Sequence, residues 1–140
     1  MKDKQKEFLL ADISARLPYG VKCAEIYPDG NKFENVWDII RVSKYVEDGI
    51  HISNCKTIYG YCSQIQNIKP YLFPMSSMTE EQSKELEEID PEFYSVIYEN
   101  GDVYVSMDAR GYDWLNKYHF DYRGLIPMGL AIDCTNLNIY

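Results

Sequence analysis

The chain has 140 residues, of which 46% are hydrophobic and 26% charged, the proportions of a globular protein. That length suits one domain over residues 1–140, able to bury roughly two-thirds of its unfolded surface without a structural metal or disulfide. The net charge of −8 is unevenly placed: residues 1–69 hold 10 Lys and Arg against 9 Asp and Glu, residues 70–140 only 4 against 13. An acidic half repels phosphate backbones and so disfavours direct nucleic-acid binding. No apolar run approaches the ~20 residues of a membrane span.

In chain order, the charged residues 1–7 are followed by a short apolar run at 8–11. That run is too short for the core of a signal peptide, so the expected address is the cytoplasm, where Cys23, Cys55, Cys62 and Cys134 stay reduced. Residues 3–17 carry Leu10, Ile13 and Leu17 at helical spacing, with Leu9 widening the stripe, and predict an amphipathic helix stopped by Pro18 and Gly20. A β-rich stretch comes next. Strands are predicted at 21–27 and 36–42, separated by the turn signal Pro28-Asp29-Gly30-Asn31. Asp48-Gly49 predicts a hairpin between 45–46 and 50–52, and 57–61 and 63–68 are two further short candidates.

Residues 69–78 are apolar but hold Pro70 and Pro74, which fits an edge strand or an extended loop. Thr79-Glu80-Glu81-Gln82 has the form of a capping box and opens a helix over 80–89 on which only Leu86 and Ile89 are apolar. Asn100-Gly101 predicts a hairpin between 95–98 and 103–107. A second amphipathic helix follows at 109–119 with Trp114, Leu115 and Tyr118 inward. Residues 121–126 suit a helical turn and 129–132 a last strand. The sum is an α+β fold: one antiparallel sheet of about five to seven short strands with two or three packed helices.

Three stretches stand out together: Ala15-Arg16-Leu17-Pro18-Tyr19-Gly20-Val21-Lys22; Lys69-Pro70-Tyr71-Leu72 through Pro74-Met75-Ser76-Ser77-Met78-Thr79-Glu80-Glu81; and Asp113-Trp114-Leu115-Asn116 through His119-Phe120-Asp121-Tyr122-Arg123-Gly124-Leu125-Ile126. The combination resembles a group of small proteins of gut Bacteroidetes, their phages and their mobile elements. The resemblance touches the first, middle and last thirds and implies a phage or mobile-element origin. It carries no activity or catalytic residues.

Four groups of side chains are candidates for function. His51, Cys55 and Cys62 form the one metal-like cluster. Zinc takes four N or S ligands, usually from tightly spaced cysteine pairs, so three at loose spacing read better as residues of strands. Neither a metal nor a cofactor is expected. His119, Asp121 and Arg123, with Tyr122 between, can do acid–base work if they converge in a cleft. The structural alternative is a corner in which Asp121 caps the following turn and Arg123 pairs with Asp121 or a carbonyl. Tyr71, Phe73, Met75 and Met78 form a proline-stiffened apolar stretch that suits docking or closes the core over the sheet. Glu81, Glu85 and Glu88, with Glu80, Glu87, Asp90 and Glu92, make a dense carboxylate surface. It is either a mimic of the DNA backbone or a solvated helix.

These readings point to a non-enzymatic accessory protein that binds another protein, through its acidic half, as an inhibitor or nucleic-acid mimic. The alternatives are a small enzyme built on His119, Asp121 and Arg123, and a structural subunit that uses residues 71–78 as its interface.

Overall fold

The computed structural model describes residues 1–31, 35–43, 46–53, 60–92, 94–97, 99, 103–106 and 108–140. Three α-helices and mostly antiparallel strands make the fold α+β, as expected, but one strand pair is parallel. The residues group into two compact units, 1–71 with 139–140, and 72–138. Among the described residues no helix is long and apolar enough to cross a membrane.

In the first unit, helix α1 (Asp3–Arg16) begins where the Gln5 side chain accepts the Lys2 N–H. It ends in a short 3-10 turn, Leu17–Tyr19, closed by Gly20 in the left-handed region (φ 74°). Pro18 fits this turn because its missing N–H is an orphan there anyway. The buried face is Leu9, Asp12, Ile13 and Arg16, while the expected Leu10 and Leu17 are only half-buried. Asp12 and Arg16 are one helical turn apart and wholly inaccessible. Their side chains meet fork to fork, Nε–Oδ2 2.8 Å and Nη2–Oδ1 3.0 Å. A bidentate pair of this kind makes two charges tolerable where one would not be.

Strands β1 (Lys22–Glu25), β2 (Trp37–Val42), β3 (Gly49–Ser53), β4 (Gly60–Gln64) and β5 (Ile68–Pro74) follow, and in this unit they lie in the order β4-β3-β2-β1-β5, all antiparallel. The turn after β1 forms as expected, with Gly30 at φ 83° and its N–H on the Tyr27 carbonyl. The partner of β3 across the Asp48-Gly49 bend is β2, not residues 45–46, of which Tyr45 lies outside the described residues, as do 54–59. The expected strand 63–68 is instead the end of β4, a 3-10 turn at Ile65–Asn67 and the start of β5. Pro70 sits in β5 opposite Cys23 of β1, and β5 is not the expected edge strand or loop, because further along the chain it has strand partners besides β1.

Register fixes one face. Cys23 lies opposite Trp37 and Pro70, Glu25 opposite Ile68, Ile39 opposite Ile52, Ile52 opposite Tyr61, and Ile50 opposite Ser63. Directly paired residues share a side of the sheet, so Glu25, Tyr61 and Ser63 all stand on the apolar inner face. In a flat sheet β1 and β4 would be three spacings, about 14 Å, apart. Yet the Glu25 carboxylate, itself fully buried, accepts the Ser63 hydroxyl at 2.5 Å, the Tyr27 hydroxyl at 3.1 Å and the Tyr61 hydroxyl. Serine and glutamate cannot bridge 14 Å, so the sheet coils until its first and fourth strands meet over this carboxylate.

In the second unit, residues 72–74 of β5 continue into a 3-10 turn, Met75–Ser77, and helix α2 (Glu80–Ile89). Strands β6 (Tyr94–Ile97) and β7 (Val103–Ser106) form a separate antiparallel hairpin; its Asn100-Gly101 turn lies outside the described residues. Helix α3 (Ala109–Lys117) is capped by Asp108, whose carboxylate accepts the Arg110 and Gly111 N–H groups. Strand β8 (Phe120–Asp121) pairs with β5 in parallel, Phe73 opposite Phe120. Strand β9 (Ile132–Asp133) also pairs with β5, where 129–132 was expected. Met75, Leu86, Trp114, Leu115, Phe120 and Tyr122 are the core. Trp114 stacks on Phe120 at 5.7 Å with 5° between planes.

Two outcomes follow from the first unit. Asp12→Ala removes the two-pronged partner of a buried guanidinium and costs about 3–5 kcal/mol in urea denaturation, most of it recovered by the double replacement Asp12→Leu with Arg16→Met. Burial first, and then Glu25, hold the Tyr61 phenol above its ordinary value. Above pH 10 the unfolded chain therefore loses that proton while the folded chain keeps it, and stability falls as pH rises. Urea midpoints taken from pH 9 to 11 fall less steeply in Tyr61→Phe than in the parent.

Candidate functional site

Helix α2 forms because its first turn is doubly capped. Thr79 Oγ1 accepts the Gln82 N–H at 3.2 Å and Gln82 Oε1 accepts the Thr79 N–H at 2.9 Å. Glu80 and Glu81 then meet the positive end of the helix dipole. Leu86 is fully buried and anchors the helix in the second core, with Ile89 half-buried beside it. Of the carboxylates, Glu85 accepts the Trp114 indole N–H at 3.1 Å. Glu80, Glu81, Glu87 and Glu88 are exposed and make no ion pair among the described residues. Asp90, by contrast, is buried: its oxygens accept the Glu92 N–H (3.2 Å) and the Asp108 N–H (2.9 Å), tying the end of α2 to the start of α3. The outcome is an acidic ridge whose backbone is held at both ends.

The other expected sites fall differently. His119 (φ 63°) and Asp121 are both buried, at 6% and 2% exposure. Asp121 accepts the Leu125 N–H through Oδ1 and the Ile126 N–H through Oδ2, each at 2.8 Å. That carboxylate pins the corner at which Gly124 turns through φ 74°. Arg123 lies over the Tyr122 ring, 5.1 Å from its centroid, and the Tyr122 hydroxyl donates to Asn116 Oδ1 at 2.9 Å. The expected helical turn over 121–126 is this pinned corner instead. Local carboxylate-to-amide bonds out-compete helix there.

Tyr71 (4% exposed) and Met75 (7%) are buried, and Phe73 and Met78 are half-buried against the core that holds Met75. His51 and Cys62 are cross-strand partners on β3 and β4, and Cys55 lies outside the described residues. Among the described residues no three metal-binding side chains gather. Cys134 is buried, and burial, then Asp133, pushes its thiol up to about 11. Sequence reasoning missed the Glu25 hydroxyl cluster, since its members are 36 and 38 residues apart in the chain. No family model, curated protein or solved structure matches the chain.

Removing the Asp121 carboxylate orphans two amides at once. Asp121→Ala costs about 2–4 kcal/mol and speeds hydrogen exchange at Leu125 and Ile126, whereas Asp121→Asn, which keeps one acceptor, loses about half as much.

Proposed function

We propose that the chain is a non-enzymatic accessory protein, of phage or mobile-element origin and cytoplasmic, that binds another protein through the outer face of α2. The observation that carries this reading is the contrast among its carboxylates. Glu25, Asp12, Asp90 and Asp121 are each buried and held by donors of the fold, whereas Glu80, Glu81, Glu87 and Glu88 stand in solvent on a helix clamped at both ends. A helix that carries five glutamates against the single cation Lys84, with no ion pair on it among the described residues, favours a partner with a basic groove, because the field both speeds encounter and rejects acidic competitors. A protein that holds nucleic acid has such a groove, and α2 would occupy it as an inhibitor.

Glu81, Glu87 and Glu88 are exposed; Lys at 81 loses a favourable contact with the helix dipole and Lys at 87 and 88 gains one at the other end, so reversing all three leaves stability nearly unchanged. In affinity capture from native host cells, the parent retains a basic protein that nucleic acid competes away, and the triple Lys variant loses that protein by at least tenfold. Identical capture by parent and variant, at equal thermal stability, refutes the proposal.

A further inference from the structure

The outer face of the first unit carries a feature of opposite character. We infer that Arg41, His51 and Ser53 form a binding site for a small organic anion, one whose phosphate or carboxylate head sits on an apolar body. The site is built by a β-bulge. Asp38 faces Ser53 and Ile39 faces Ile52, but the next pair is Arg41 with His51, so Ile40 is the extra residue. In an unbroken ladder Ile40 would face His51, and Arg41 would turn inward opposite Ile50, which is fully buried. The bulge thus moves a guanidinium out of the core and sets it across from an imidazole, and it leaves Ile40 56% exposed beside them. Bulges of this kind re-aim side chains and recur beside functional sites.

A depression of about 440 Å³ opens at this point, lined by Ile40, Arg41, His51, Ile52, Ser53 and Gly60. Gly60 lies opposite Ser53, and a Cβ there would stand 2.5 Å from the Ile52 carbonyl oxygen, so this lining position admits no side chain. Arg41 makes no ion pair among the described residues. Asp38, the carboxylate on the same face, is already engaged by Lys22 Nζ at 2.8 Å. A planar guanidinium offers a two-pronged donor to an oxyanion, the Ser53 hydroxyl and the imidazole offer further donors, and Ile40 offers apolar contact to whatever bears the head group. The near-neutral balance of residues 1–69 means that the charge repelling an anion is concentrated in residues 70–140. This site stands independently of the acidic helix.

The test is a titration of the full chain with phenyl phosphate, benzoate and inorganic phosphate, followed by backbone amide NMR. Saturable shifts centred on residues 40–41, 51–53 and 60 are expected, with phenyl phosphate or benzoate binding more tightly than inorganic phosphate. Whichever of the two is tighter identifies the head group. Arg41→Gln, at an exposed position, weakens binding at least tenfold and leaves the rest of the spectrum in place. Shifts that do not saturate with either organic anion, or an affinity unchanged in Arg41→Gln, would overturn the assignment.

Discussion

A carboxylate placed beyond the reach of water must have its lone pairs answered, or the charge costs several kcal/mol. Glu25 meets that demand with the hydroxyls of Tyr27, Tyr61 and Ser63, two of which arrive from β4. The consequence is geometric. A sheet that brings β4 to β1 is coiled, and a coiled sheet has a concave side and a convex side. The apolar residues Trp37, Ile39, Ile50 and Ile52 share the concave side with Glu25. The convex side is left to Asp38, Arg41, His51 and Ser53, the residues whose register partners are one another. The outer face of the first unit thus combines strand alternation, the coiling over Glu25 and the bulge at Ile40.

The same device recurs with backbone amides as donors. Asp121 holds a corner, Asp90 joins the end of α2 to the residue that caps α3, and Asp108 caps that helix. In each case a short acidic side chain does locally what a ladder or a helical turn would otherwise do. The Arg110 guanidinium beside Asp108, more than the helix amides, holds that carboxyl below the usual range. The chain's acidity therefore has two parts, one internal and structural, the other external.

How far the fold was legible depends on the range of the signal. Thr79 and Gln82 announce their helix because both halves of the capping box lie within one turn, and Asp29-Gly30 announces its turn for the same reason. The face of α1 was legible only in part. Hydrophobic spacing chose Leu10, Ile13 and Leu17 with Leu9, of which Leu9 and Ile13 are buried, whereas the rest of the buried stripe is the ionic pair Asp12 and Arg16. A pair of opposite charges four residues apart looks the same in sequence whether it is solvated or buried; only the side chains packed around it decide. The parallel β5–β8 pair was equally hidden, because parallel strands need a long crossover and leave no hairpin signature. The Ile40 bulge is hidden for a third reason: alternation reads cleanly up to Ile39, and nothing local marks the extra residue.

The internal part of the acidity shows how a motif-like cluster can serve the fold. His119, Asp121 and Arg123 are reactive types brought within five residues, yet both carboxylate oxygens of Asp121 are given to amides and Arg123 covers a tyrosine ring. Proximity in sequence reflects the needs of a tight corner, which uses the same residue types as a catalytic cleft. Among the carboxylates of α2, Glu85 accepts the Trp114 indole N–H and Glu80 and Glu81 meet the helix dipole, but Glu87 and Glu88 have no such internal use among the described residues. Solubility needs net charge but not its concentration on one clamped helix; a scattered surface would serve as well with less repulsion. That concentration is the feature on which the proposal of a basic partner rests.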